Sequence, residues 1–160
     1  GVVKSAGKVL SPDEIRRQLL ACLAERFGFD TALLEPYELY LSESARQKIF
    51  LGPKTDFPLA RTDTGGVLIA RAGATIKPAT SFFQLFGRHV TRNIIHLERG
   101  QVAPFCSGSD LELAENQIGG AERGFVMVVW EEHCLGCGLL KGRTLENQIP
   151  KANRLTLEQW

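Results

Sequence analysis

Two stretches of this 160-residue chain carry side chains whose types and spacing suit chemistry. The first is His133-Cys134-Leu135-Gly136-Cys137. Thiolates and an imidazole at such spacing can bind zinc, with Cys106 as a further ligand. A structural site normally needs two ligand pairs, however, and the chain has no second CxxC or HxxH. Cysteines beside paired glycines read more simply as small buried hydrophobes. A redox CxxC should open a helix in a βαβ unit, whereas this one leads towards Gly142 and a strand. No metal is expected. Gly136-Cys137-Gly138 also begins like a dinucleotide loop, but Lys141 stands where the third glycine belongs. No other segment supplies a glycine-rich cofactor loop, so no cofactor is expected. His89, His96 and His133 have no linked serine or cysteine motif. His96 alternates inside a strand and reads as a structural histidine, while Glu131-Glu132 and Glu112/Glu115 read as solvated charges. No catalytic residue emerges, and the chain is not expected to be an enzyme.

The second stretch is basic. Lys141, Arg143, Lys151 and Arg154 follow one another with a single acid, Glu146, among them. Lysine and arginine neutralise phosphates, and the amides of Asn147, Gln148 and Asn153 can reach base edges or sugar hydroxyls. Gly136 and Gly138 are expected to form a turn beside this edge, letting backbone pass close to a ribose-phosphate chain. Arg88, His89 and Arg92 form a second local positive cluster that can extend the surface. The competing reading of all these residues is a solvated face with evenly spread charge.

The elements that must position them can be read in order. Ser11-Pro12-Asp13-Glu14 carries a capping serine, a proline suited to the first turn and a capping-box glutamate. Ile15, Leu19, Leu20, Leu23 and Phe27 then recur at helical spacing until Gly28, which predicts a helix over 12–27. Strands are expected at 37–41 and 49–51, with a brief helix from Ser42 through Lys48. Residues 52–66 are rich in proline and glycine and read as a linker, with a domain boundary near Thr64. Beyond it come strands at 67–70, 93–97 and 110–113, short helices at 81–86 and 98–106, and a turn at 116–120. The run Phe125-Val126-Met127-Val128-Val129-Trp130 is too apolar for anything but a core strand. Leu139-Leu140 and 144–149 pair across a turn at Gly142. Closely spaced short strands without long crossover helices favour a small, mostly antiparallel barrel over a doubly wound sheet.

Bulk composition sets limits on partners. Apolar content is 44% and charged content 23%, ordinary for a globular protein. The net charge is only +1, so any nucleic-acid surface must come from local clustering. No apolar run approaches the ~20 residues needed to cross a bilayer, and nothing resembles a signal peptide. With four cysteines and no secretion signal, reduced thiols and a cytoplasmic location are expected.

Gly124 to Arg154 resembles the final section of PUA domains, the RNA-binding fold named after pseudouridine synthases and archaeosine transglycosylases. It looks in particular like the PUA domain of Sun/Fmu-family RNA cytosine-5 methyltransferases. The matching elements are Leu135-Gly136-Cys137-Gly138, Leu145-Glu146-Asn147 and Pro150-Lys151-Ala152-Asn153-Arg154. Upstream, Asn93 to Leu97 through Gly108-Ser109-Asp110-Leu111 resembles the family's short helix and the turn after it. The likeness covers roughly residues 66–157. Two departures stand out. Glu146 sits where such domains often carry lysine, and the methyltransferase motifs (a donor-binding glycine loop and a Pro-Cys nucleophile) are absent from the 160 residues. A small α/β piece followed by a PUA-like domain is also similar to the layout of small two-domain ribosome-biogenesis factors of archaea and eukaryotes.

The resemblance implies an α+β architecture, with a small α/β N-terminal domain over 1–63 and a PUA-like mixed or antiparallel barrel over 64–160. It implies a non-catalytic protein that binds structured rRNA or tRNA, in RNA modification or ribosome biogenesis, with a protein partner on residues 1–63. The rival expectation is a protein-interaction module docking through the apolar run Phe82, Phe83, Leu85 and Phe86.

Overall fold

The computed structural model describes residues 3–5, 8–42, 47–54 and 66–151. It is an α+β fold that divides into two compact units, Gly1–Phe82 and Phe83–Trp160. The boundary expected near Thr64 lies outside the described residues. The apolar strand that follows it hydrogen-bonds back into the first unit, so the division falls later than expected.

In the first unit, β1 (Val3–Ser5) and β2 (Lys8–Leu10) form an antiparallel pair. The predicted helix begins where its caps place it. The Ser11 side chain accepts from the Glu14 amide, Pro12 opens α1 (Pro12–Ala21), and a π-helical segment, Cys22–Arg26, carries the chain to Gly28 at φ 59°. Ile15, Leu19, Leu23 and Phe27 are buried along one face, while Leu20 is only half-buried. Next come β3 (Tyr37–Leu41), β4 (Lys48–Pro53), β5 (Val67–Ala72) and β6 (Ile76–Pro78), antiparallel neighbours in that order in a sheet curled into a half-barrel. The brief helix expected after Ser42 falls on 43–46, outside the described residues, and Lys48 at its expected end already belongs to β4.

The second unit is built on a five-stranded sheet in the order β7 (Ile94–His96), β9 (Gly124–Trp130), β10 (His133–Lys141), β11 (Thr144–Asn147), β8 (Leu111–Glu112). The helix α2 (Thr80–Phe86) leads into it, as expected of the 81–86 run. Between β7 and β9 lie α3 (Arg99–Cys106), β8 and the single turn α4 (Glu115–Ile118). That excursion brings the chain back to pair β9 parallel to β7, which gives an otherwise antiparallel sheet its mixed character. Ile95, Leu97, Phe105, Leu113, Val126, Val128, Leu140, Leu145 and Ile149 form one buried cluster against this sheet. Burial on this scale supplies the main stabilisation, about 25 cal/mol per Å² of apolar surface.

The glycine–cysteine stretch is not a turn. β10 runs straight through Gly136 and Gly138, and the reversal comes earlier, at Glu131-Glu132, with Glu131 at φ 53°. The pairing slips between Cys134 and Gly136, a β-bulge that needs one extra residue and a backbone of unusual shape. Gly136, at φ 146°, supplies that shape. Gly138 is needed for space instead: a Cβ there would lie 2.6 Å from Leu145 Cδ1 and 3.1 Å from Val128 Cγ2. Two glycines so close in sequence suggest a turn, whereas each answers a different demand within one strand.

Candidate nucleic-acid interface

The β10–β11 hairpin carries the first two expected contact residues. Lys141 pairs with Thr144 across it, so Gly142 and Arg143 form the two-residue tip, and Gly142 takes φ 59° as a tight turn demands. Arg143 is exposed but tied down. Its Nε donates to the Leu113 carbonyl (3.0 Å) and its own carbonyl accepts from the Leu113 amide (2.8 Å). Lys141 Nζ lies 3.2 Å from Glu146 Oε1, with side-chain exposures of 48% and 35%. The two are diagonal neighbours on one sheet face, since Glu146 pairs with Leu139. A pair this exposed contributes at most about 1 kcal/mol, so it costs Lys141 local potential without fixing it firmly. Thr144 Oγ1 donates to Glu112, a second acid beside the tip.

Asn147 is spent inside the fold. Its Nδ2 donates to the carbonyls of Phe105 and Ser109 (the latter 3.2 Å), and its Oδ1 accepts from the Ile149 amide at 2.9 Å. Its own amide donates to Asp110 Oδ1 at 2.7 Å. The side chain therefore ties β11 to the end of α3 and to the loop that follows it. The side chain expected to read RNA is thus engaged in hydrogen bonds within the fold. Gln148 is half-buried, with its backbone N–H donating to the Cys137 carbonyl at 3.2 Å. The turn at Asn147–Ile149 then carries the chain to exposed Lys151, past the end of β11 remote from the hairpin tip. Residues adjacent in sequence are thus divided: Lys141 and Arg143 stand at one end of the strand and Lys151 beyond the other. Asn153 and Arg154 lie outside the described residues.

The upstream cluster is also divided. Arg88 and His89 belong to a 3₁₀ turn, Gly87–His89, packed where a Cβ on Gly87 would lie 2.9 Å from Met127 Sδ and 3.5 Å from Cys134 Cβ. Arg88 Nε donates to His89 Nε2 at 3.2 Å. Arg92, by contrast, sits just before β7. Asn93, buried and at φ 57°, accepts on Oδ1 from the Glu122 amide (2.7 Å) and on its carbonyl from the Met127 amide (3.0 Å). That fastens the start of β7 to residue 122, beside Arg123, an exposed arginine that sequence reading passed over. Leu140 pairs with Gly124, the last pair of the β9–β10 ladder, so Lys141 and Arg123 each follow directly on that pair at the same end of the sheet. The signal for Arg123 was available only through strand register, since it is isolated from other cations in sequence.

His96 is exposed on the edge strand β7, not a buried structural histidine. Phe82 and Phe83 are fully buried and Phe86 half-buried, leaving only Leu85 largely exposed at 53%, so the 82–86 run is not one apolar docking face. The thiols are held in the protonated form. Burial pushes Cys134 up to about 11, against a smaller lowering by a hydrogen bond to the Gly136 backbone, and burial also raises Cys106 and Cys22. Cys137 is fully buried. Among the described residues no three His, Cys, Asp or Glu side chains gather as a metal-binding group, and no helix is long and apolar enough to cross a membrane.

Residues 92–155 match the family model described as the methyltransferase RsmF PUA domain. The resemblance to a PUA domain of RNA cytosine-5 methyltransferases is thereby borne out over that span, which takes in β7 through β11. A search of curated proteins gave no match to the chain.

Proposed function

We propose that this protein is a non-catalytic RNA-binding module acting on structured rRNA or tRNA, in the service of an RNA 5-methylcytosine methyltransferase. The observation that carries the reading is the match to the methyltransferase RsmF PUA domain over the same residues that set Lys141 and Arg143 at one end of a rigid sheet. Rigid strands with exposed cations suit backbone contact, and structured RNA is recognised largely by shape, phosphates and 2′-hydroxyls. Thiols kept protonated at neutral pH are poor nucleophiles, which favours binding over chemistry. Ribosome biogenesis is the related role for the same binding activity, with the cytoplasm as its location. The first unit, where Tyr37 and Val67 are exposed on one face of the half-barrel sheet, is the part we assign to a protein partner.

The test is binding of a labelled rRNA stem-loop over a range of salt concentrations. Log affinity should fall linearly with log salt, and replacing Lys141 and Arg143 together by Ala should flatten the slope by about one to two units. Binding that is absent, or that ignores salt, would overturn the reading.

A further inference from the structure

The expected basic surface was a run of sequence, and the fold does not present it as one. What the fold assembles is different. β7 and β9 run parallel, with Ile94 level with Met127, so their starts lie at the same end of the sheet. β10 runs antiparallel to β9 and finishes at that end, with Leu140 opposite Gly124. The β10–β11 tip projects from there too. Each of these three strands and the tip brings one exposed cation to this end: Arg92 before β7, Arg123 before β9, Lys141 closing β10, and Arg143 at the tip. Neighbouring strands are about 4.8 Å apart, so the row from β7 through β10 to the tip extends on the order of 10–15 Å.

Building on the RNA-binding reading, we infer that Arg92, Arg123, Lys141 and Arg143 form a single track for consecutive phosphates of one RNA strand, with Arg123 in its interior. The track runs across the strands, not along one of them. Its interior position is fixed by two independent ties. Asn93 holds the chain at Glu122 through its side chain, and the β9–β10 ladder ends on the pair Leu140–Gly124, the residues that adjoin Lys141 and Arg123. Three acids lie beside the row of four cations: Glu122 next to Arg123, Glu146 paired with Lys141, and Glu112 beside the tip. The surplus of cations is local, which is how a chain of net charge +1 presents a positive surface. Lys151, Arg88 and His89 fall outside the track.

The experiment uses the whole chain and a labelled RNA stem-loop titrated at several salt concentrations. Arg123→Ala should weaken binding several-fold and reduce the salt slope by about 0.7–0.9, the share of one phosphate contact. Arg123→Lys should restore most of the slope, because a phosphate contact needs the charge more than the guanidinium fork. Glu146→Gln should tighten binding and steepen its salt dependence by releasing Lys141. Arg88→Ala should change both quantities less than Arg123→Ala. Thermal melting of each variant checks that the fold is retained, as expected for exposed side chains. If the wild-type chain binds with a salt slope and Arg123→Ala matches it, the track is wrong while the RNA-binding reading survives. If the wild-type chain does not bind, both fall.

Discussion

Asn147 and Cys134 show how far a side chain's type is from its role. In sequence Asn147 stands among cations and reads as an amide for RNA. In the fold it is the joint between β11 and the end of α3, through Phe105, Ser109 and Asp110. Asn147→Ala removes the side-chain hydrogen bonds to the Phe105 and Ser109 carbonyls and from the Ile149 amide, each worth about 0.5–1.5 kcal/mol. The expected outcome is a loss of about 2 kcal/mol in urea unfolding, with RNA affinity at constant salt changed little once the protein is folded. Cys134 carries a pH dependence. Its folded-state value of about 11 exceeds the ordinary thiol value of 9.0. Between these values the folded protein keeps a proton that the unfolded chain releases, so this contribution is complete below pH 9.0 and is lost as pH rises towards about 11. The loss is on the order of 2–3 kcal/mol at most. Unfolding free energies of the wild type and Cys134→Ala between pH 7 and 11 should therefore converge on the alkaline side. A constant gap between them would show that burial does not hold the thiol proton.

At the scale of elements, most of the strands and helices were legible because periodicity and caps are local signals. The Ser11 cap, the 37–41 strand and the apolar 124–130 strand needed no tertiary information. The glycine–cysteine stretch was misread because two glycines within three residues signal a turn locally. Their actual causes, a slipped register at Cys134/Gly136 and the proximity of Leu145 and Val128 to Gly138, exist only once β9, β10 and β11 are paired. Gly138→Ala tests this at the element level. A methyl group 2.6 Å from Leu145 Cδ1 must displace that side chain or the strand, a cost typical of overpacking, about 1–3 kcal/mol. A lower melting temperature is expected. No change would mean that the core beside Leu145 yields freely and that Gly138 is dispensable.

For the whole molecule, the α+β class and the PUA likeness were readable, whereas the extent of each unit was not. Val67–Ala72 was assigned to the later domain from its position after the linker, but pairing with β4 draws it into the first sheet. The candidate surface was legible by composition and illegible by arrangement. Lys141, Arg143 and Lys151 group together in sequence because they are close along the chain. Strand pairing sets Lys151 at the other end of β11, and Arg123 enters only with the inferred track. Sequence proximity predicts spatial proximity along a loop, but a hairpin places residues by strand pairing.

The parallel pairing of β7 with β9 also sets an order of events. Arg92 and Arg123 can become neighbours only after the intervening chain, including α3, β8 and α4, has been made and folded back. Lys141 and Arg143 arrive later still. During synthesis from the N-terminus at about 5–20 residues per second, Arg92 therefore precedes Arg143 by seconds. An incomplete chain carries scattered cations and no track. The inferred track is thus incomplete in any fragment that lacks the β10–β11 hairpin.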